Sequence, residues 1–219
     1  MNVPPRLSMA LVLENLRRRG FSPETVIDVG AHTGTLLLTA AFPKAQHVMI
    51  EPLVEHGPAL QALCANLDRA HYLIAAAGSQ EGSIRLAVDP TSLHSFLLHG
   101  EAGAAPAFKE RVVRAITLDR LAHDRSLQGP FLVKIDVDGA EMEVVRGACS
   151  LLDENNIFIV ETGLFQGGLM RLLNLFDGFD FTPFDIADPL YRESDDALWQ
   201  FDLVLVHKNS FLRSHRSYP

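Results

Sequence analysis

The chain has 219 residues, of which 47% are hydrophobic and 21% charged. That is the composition of an ordinary globular protein, and it excludes collagen, coiled coil and wholesale disorder. Nineteen Lys and Arg stand against 27 Asp and Glu, a formal net charge of -8. A generic binder of nucleic-acid backbones needs the opposite balance, because its affinity comes from neutralising phosphates.

Met9, Val12, Leu13 and Leu16 share one helical face, so a helix is expected over residues 7–19, stopped by Gly20. Residues 25–30 read as a buried strand that runs into a glycine turn, and residues 34–41 as an apolar helix. Residues 47–51 follow as a strand, 54–67 as a helix and 71–76 as a third strand. Shorter β patterns lie at 83–88 and 111–116. Between them, residues 90–110 hold a long loop with little periodicity, the usual signature of a lid or binding loop. Strand and helix then alternate at 131–137, 141–152, 157–161 and 169–176. Residues 179–186 and 199–207 are two strands with no room for a helix between them, so they pair antiparallel. Residues 211–219 read as a tail.

The pattern is α/β: a mostly parallel sheet covered on both faces, made mixed by the terminal hairpin. One domain over residues 1–219 is expected. Cys64 and Cys149 lie in no ligand spacing, so neither a disulfide framework nor a zinc site is indicated. The apolar run at 9–13 precedes Arg17, Arg18 and Arg19, the reverse of a signal peptide. No stretch reaches the roughly 18 apolar residues of a membrane span. The expectation is a cytoplasmic protein with no membrane or nucleic-acid partner.

Ligands of such sheets sit beyond the carboxyl ends of the strands. The first turn there is Asp28-Val29-Gly30-Ala31-His32-Thr33-Gly34, and Glu51 ends the next strand just before Pro52. An acid at that place accepts hydrogen bonds from a ribose diol. A dinucleotide wants G-x-G-x-x-G and a pyrophosphate at the helix N-terminus. Here the spacing is G-x-x-x-G and Asp28 would repel pyrophosphate. S-adenosylmethionine carries an ammonium, a sulfonium and no phosphate, so the acidic turn favours it. Asp28, Gly30, Ala31, His32, Gly34, Glu51 and Pro52 are the candidate cofactor residues. The plainer reading of Asp28 is a cap on the following helix.

These segments resemble the FkbM-type methyltransferases. The resemblance runs over roughly residues 25–208 and is carried by Val26–Gly34, Ile50-Glu51-Pro52, Ile116-Thr117-Leu118-Asp119-Arg120-Leu121 and Lys134-Ile135-Asp136-Val137-Asp138-Gly139-Ala140-Glu141. Arg146-Gly147-Ala148, Ile159-Val160-Glu161 and Leu198-Trp199-Gln200-Phe201-Asp202 continue it. It implies a class I methyltransferase, Rossmann-like fold with a mixed seven-stranded sheet and a C-terminal antiparallel hairpin. It implies S-adenosylmethionine as cofactor and O-methylation of a small molecule or sugar. Asp138 departs from the family, which usually has Glu there.

Asp136 and Asp138 share a strand face with Lys134. Asp136 is both a cofactor and a catalytic candidate, and Glu161 ends the neighbouring strand. Asp138 and Glu141 also suit the first turn of the next helix. Asp136, Asp138 and Glu161 form a conceivable divalent-metal set, with hydrogen bonding to the acceptor as the alternative. His94 is the candidate base in the long loop, beside His99, Ser92 and the cofactor candidate Ser95. Phe184, Tyr191 and Trp199 wall an acceptor pocket or pack the hairpin. N-methylation of a small amine, a nicotinamide oxidoreductase and a non-catalytic cofactor-binding module are the competing readings. Monomer and homodimer both remain open.

Overall fold

The structure is a computed structural model and describes residues 6–91, 95–98, 105 and 107–213. In chain order it contains α1 (Met9–Arg18), β1 (Thr25–Val29), α2 (Leu36–Ala41), β2 (Gln46–Glu51), α3 (Gly57–Cys64), β3 (Ala70–Ile74) and β4 (Ala76–Ala77). Then come β5 (Gly82–Val88), β6 (Ser95–Leu97), β7 (Lys109–Ile116), α4 (Leu118–Asp124), β8 (Phe131–Ile135) and α5 (Glu141–Arg146). Last are β9 (Ile157–Gly163), α6 (Gly168–Asp177), β10 (Phe181–Arg192) and β11 (Ala197–His207).

Seven strands form the main sheet in the order β10-β11-β9-β8-β1-β2-β3. The pairs β8–β9, β1–β8, β1–β2 and β2–β3 are parallel, whereas β11 runs antiparallel to both β9 and β10. The order reverses between β1 and β8, so a crevice opens beyond their carboxyl ends. Every residue of β1 and β8 is buried, as a strand covered on both faces requires. One face packs Ile27, Val133, Phe158, Val160 and Leu203 against α4, α5 and α6. The other packs Val26, Leu132, Ile159 and Val204 against Met9, Val12, Leu13 and Leu16 of α1.

The sequence expectations hold in outline, with corrections: the strand expected over 131–137 ends at Ile135, which leaves Asp136 and Asp138 beyond it. The helix expected over 54–67 is a 3-10 turn at Val54–His56 followed by α3, because Pro58 sets a new helix start. The helix expected over 141–152 breaks after Arg146. A Cβ on Gly147 would lie 2.0 Å from the carbonyl oxygen of Gly78, so the chain is pinned there. The segments at 83–88 and 111–116 do not extend the main sheet; they build a second sheet, β4-β7-β5-β6. Its strand β6 lies inside the span read as an unstructured loop and pairs antiparallel with β5. α4 was not legible as a helix by periodicity. It starts at Thr117, whose hydroxyl accepts the Arg120 N–H at 3.2 Å. Among the described residues no helix is long and apolar enough to cross a membrane.

One contact sets the crevice. The turn after β1 crosses the end of β8 so closely that a Cβ on Gly30 would lie 1.8 Å from the Asp136 carbonyl oxygen. Gly30 also has φ +75°, which a side chain rarely adopts. Gly30→Ala is expected to cost at least about 2 kcal/mol in chemical denaturation, strain and clash together. A variant within about 0.5 kcal/mol of the parent contradicts that packing.

Candidate active site

The turn at 30–35 is held by two buried acids. Asp28 is 4% exposed and closes the turn from below. Its Oδ2 accepts the Thr35 N–H at 3.0 Å and its Oδ1 the Thr35 hydroxyl at 3.2 Å. Glu51, 5% exposed, closes it from the side. Its Oε2 accepts the His32 N–H and its Oε1 the Leu53 N–H, both at 2.9 Å. Burial raises the carboxyl of each acid, and these bonds oppose the rise. Each Glu51 oxygen keeps a second lone pair.

Beside the turn lies a cavity of about 490 Å³, within the range of small-molecule sites. Ile50, Leu53, Ala75, Ala76, Ala77, Ile84, Leu86 and Leu97 give it an apolar half. Glu51 and the rings of His32 and His56 border that half. The two rings lie 3.9 Å apart between centroids. The opposite wall holds Asp136, Asp138, Glu161, Trp199 and Gln200. A cavity with an apolar half, a pre-oriented acid and a backbone turn fits S-adenosylmethionine.

The acidic wall follows from strand register. Asp28 pairs with Lys134 across β1 and β8, and Lys134 with Ile159 across β8 and β9. Two residues on, Asp136 comes level with Glu161, and Glu161 pairs with Asp202 on β11. Three carboxyls thus stand side by side on one sheet face, an arrangement that like charges make costly. Lys134 relieves it. Its ammonium, with the side chain 7% exposed, sits 2.5 Å from Asp136 Oδ2, itself 41% exposed. Burial alone would lower the Lys134 ammonium, but Asp136, Asp28 and Asp202 together raise it. Glu161 accepts the Gln200 amide N–H at 2.7 Å. Its carboxyl is pushed up to about 8, by burial first and then by the charge of Asp136 and a hydrogen bond to it. With Lys134 on Asp136, the proton of this pair resides on Glu161. Burial pushes Asp202 up to about 6 against the pull of Lys134, and its Oδ1 has no hydrogen-bond partner among the described residues.

The sequence candidates therefore divide. Gly30, His32, Glu51, Pro52, Ser95, Asp136, Asp138, Glu161 and Trp199 line one cavity. Asp28, Ala31 and Gly34 do not line it; Asp28 instead holds Thr35, the residue just before α2. Tyr191 and Phe184 also stand off the lining, and Phe184 packs beside the α1 core. His94, Ser92 and His99 lie outside the described residues. Asp136, Asp138 and Glu161 do not form a metal-holding group: none exists among the described residues, and Lys134 and Gln200 take up oxygens of Asp136 and Glu161. Sequence reasoning missed the roles of Gln200 and Asp202. Two polar residues at i, i+2 in an otherwise apolar strand were their signal.

The fold and this cavity define an α/β enzyme of the methyltransferase class. Residues 28–189 match the family model described as the methyltransferase FkbM domain. The chain belongs to that family and is an S-adenosylmethionine-dependent methyltransferase. No curated protein matches it. Among solved structures it is similar to a putative rRNA-methylase from Clostridium thermocellum, at a TM-score of 0.50 and 10% identity, covering 93% of this chain and 99% of that one. The N1-methyltransferase of Burkholderia thailandensis that acts on 1,6-didemethyltoxoflavin gives a TM-score of 0.49 at 13% identity, covering 90% of this chain and 75% of that one. These likenesses concern fold.

Glu161 gives a prediction for stability. From the ordinary value of 4.5 up to about 8, the unfolded chain has released this proton and the folded chain has not. The folded state then binds more protons, so its contribution falls as pH rises through that window and levels off above it. Glu161→Gln removes this slope. Parent and variant are expected to melt alike near about pH 4.5, and the variant higher near about pH 8.5. A variant that melts lower at the higher pH contradicts the assignment.

Proposed function

We propose that this chain transfers a methyl group to a hydroxyl of a small molecule or sugar, as a single cytoplasmic domain. The observation that carries the reading is one cavity with Glu51 at one end and the Asp136–Glu161 pair at the other. Glu51, the backbone at Gly30 and His32, Pro52, Ser95 and the apolar half would hold S-adenosylmethionine. When bound, it supplies an activated methyl group on sulfonium.

The chain's own residues have three tasks. The apolar half excludes water. The turn and Glu51 fix orientation, which matters because the reaction is an in-line displacement. The carboxyl pair receives the acceptor hydroxyl as a hydrogen-bond donor and takes its proton. Lys134 holds Asp136 in place for that role, and Gln200 holds Glu161.

Calorimetry with S-adenosylmethionine and S-adenosylhomocysteine tests the binding half. A ligand at about a hundred times its Kd should stabilise the fold by roughly 2.7 kcal/mol. Glu51→Ala is expected to weaken both ligands at least about tenfold, through lost hydrogen bonds to a charged group. Unchanged binding in that variant contradicts the role of Glu51. For transfer, labelled methyl from S-adenosylmethionine is followed into a panel of hydroxyl and amine acceptors. Asp136→Asn is expected to lower kcat by about 10²–10⁴ while S-adenosylhomocysteine still binds. Label arriving only on nitrogen favours the amine reading, and folded protein that binds neither ligand sinks the proposal.

A further inference from the structure

Charge around the cavity is one-sided. Its ionisable lining is Glu51, Asp136, Asp138 and Glu161, with His32 and His56 the sole basic side chains among the described residues. Lys134 does not line it; its ammonium lies behind Asp136, tied to that carboxylate. The lining is acidic overall, with Lys134 offsetting Asp136 and Glu161 keeping its proton near neutral pH.

Methyl transfer changes the charge at that sulfur. The acceptor oxygen bonds the methyl carbon, the C–S bond breaks, and its electron pair stays on sulfur. The acceptor's proton goes to the carboxyl pair. A sulfonium cation becomes a neutral thioether, and the attraction to the acidic lining is lost. We propose that the acidic lining makes this enzyme bind S-adenosylmethionine more tightly than S-adenosylhomocysteine, so that the product is released by its loss of charge. The inference rests on the methyltransferase reading above and goes beyond it. Electrostatic selection works here because partly buried charges are screened less than surface ones.

Glu161 makes the selection depend on pH. It faces Lys134 from β8, Asp136 just beyond that strand, and Asp202 and Gln200 from β11, and Asp138 shares its lining. Its carboxyl titrates near 8, so the lining gains a negative charge above that pH. The α-amino group of the ligands is common to both and cancels from their ratio.

The test is calorimetry on the full chain with three ligands: S-adenosylmethionine, S-adenosylhomocysteine and sinefungin, which carries a protonated amine where the methylsulfonium would be. Near pH 7 at low salt, both cationic ligands are expected to bind at least about threefold more tightly than the thioether, and the ratio to shrink as salt rises. The ratio should grow toward about pH 9 in the parent and stay flat in Glu161→Gln. Thioether binding as tight as sulfonium binding overturns the proposal, as does sinefungin behaving like the thioether. An equal rise in Glu161→Gln overturns the part given to Glu161. If that variant does not fold, the parent's ratio and its salt dependence still decide. No binding of any of the three instead overturns the methyltransferase reading itself.

Discussion

The site depends on one buried ammonium at the seam between β1 and β8. Lys134 lies where the sheet reverses direction, with Asp28 beside it and Asp136 two residues on. A lone ammonium at that depth would lose its charge. Three carboxyls keep it charged, and it in turn lets them stand close together. Removing either side would leave buried charge without a partner, which is costlier than never having buried the pair. The same interaction joins the two halves of the cavity. Asp28 holds the turn that faces Glu51, and Asp136 forms the wall that faces Glu161.

That arrangement also separates the roles of chemically similar residues. Asp28, Glu51, Asp136, Glu161 and Asp202 are five acids on or beside neighbouring strands, and each has a different set of partners. Asp28 spends both oxygens on Thr35. Glu51 spends one lone pair per oxygen on backbone and still faces the cavity. Asp136 carries the lysine, and Glu161 carries the proton. Environment, not residue type, assigns the work.

Much of this was legible in the sequence. The mixed, mostly parallel sheet follows from alternating strand and helix periods plus a terminal hairpin, its seven strands from the family resemblance, and the ligand edge from the sheet rule. The motif at 28–34 and Glu51 located the turn, and Lys134 to Glu141 located the opposite wall. What was not legible depends on register. Asp202 comes beside Glu161 only because β11 runs antiparallel to β9 with that pairing, and a shift of one residue would turn it to the other face. The second sheet escaped because β6 is three residues long and, among the described residues, pairs with β5 alone. Helix ends were lost where a glycine is pinned against backbone, as at Gly147, because such contacts join segments distant in sequence.

The central claim is that Glu51 and the Asp136–Glu161 pair face two parts of one bound cofactor. A crystal structure of the full chain with S-adenosylhomocysteine tests it directly. The ribose diol is expected within hydrogen-bond distance of the Glu51 carboxylate, and the sulfur on the side of Asp136 and Glu161. A ribose bound away from Glu51, or a sulfur turned from the carboxyl pair, would contradict it.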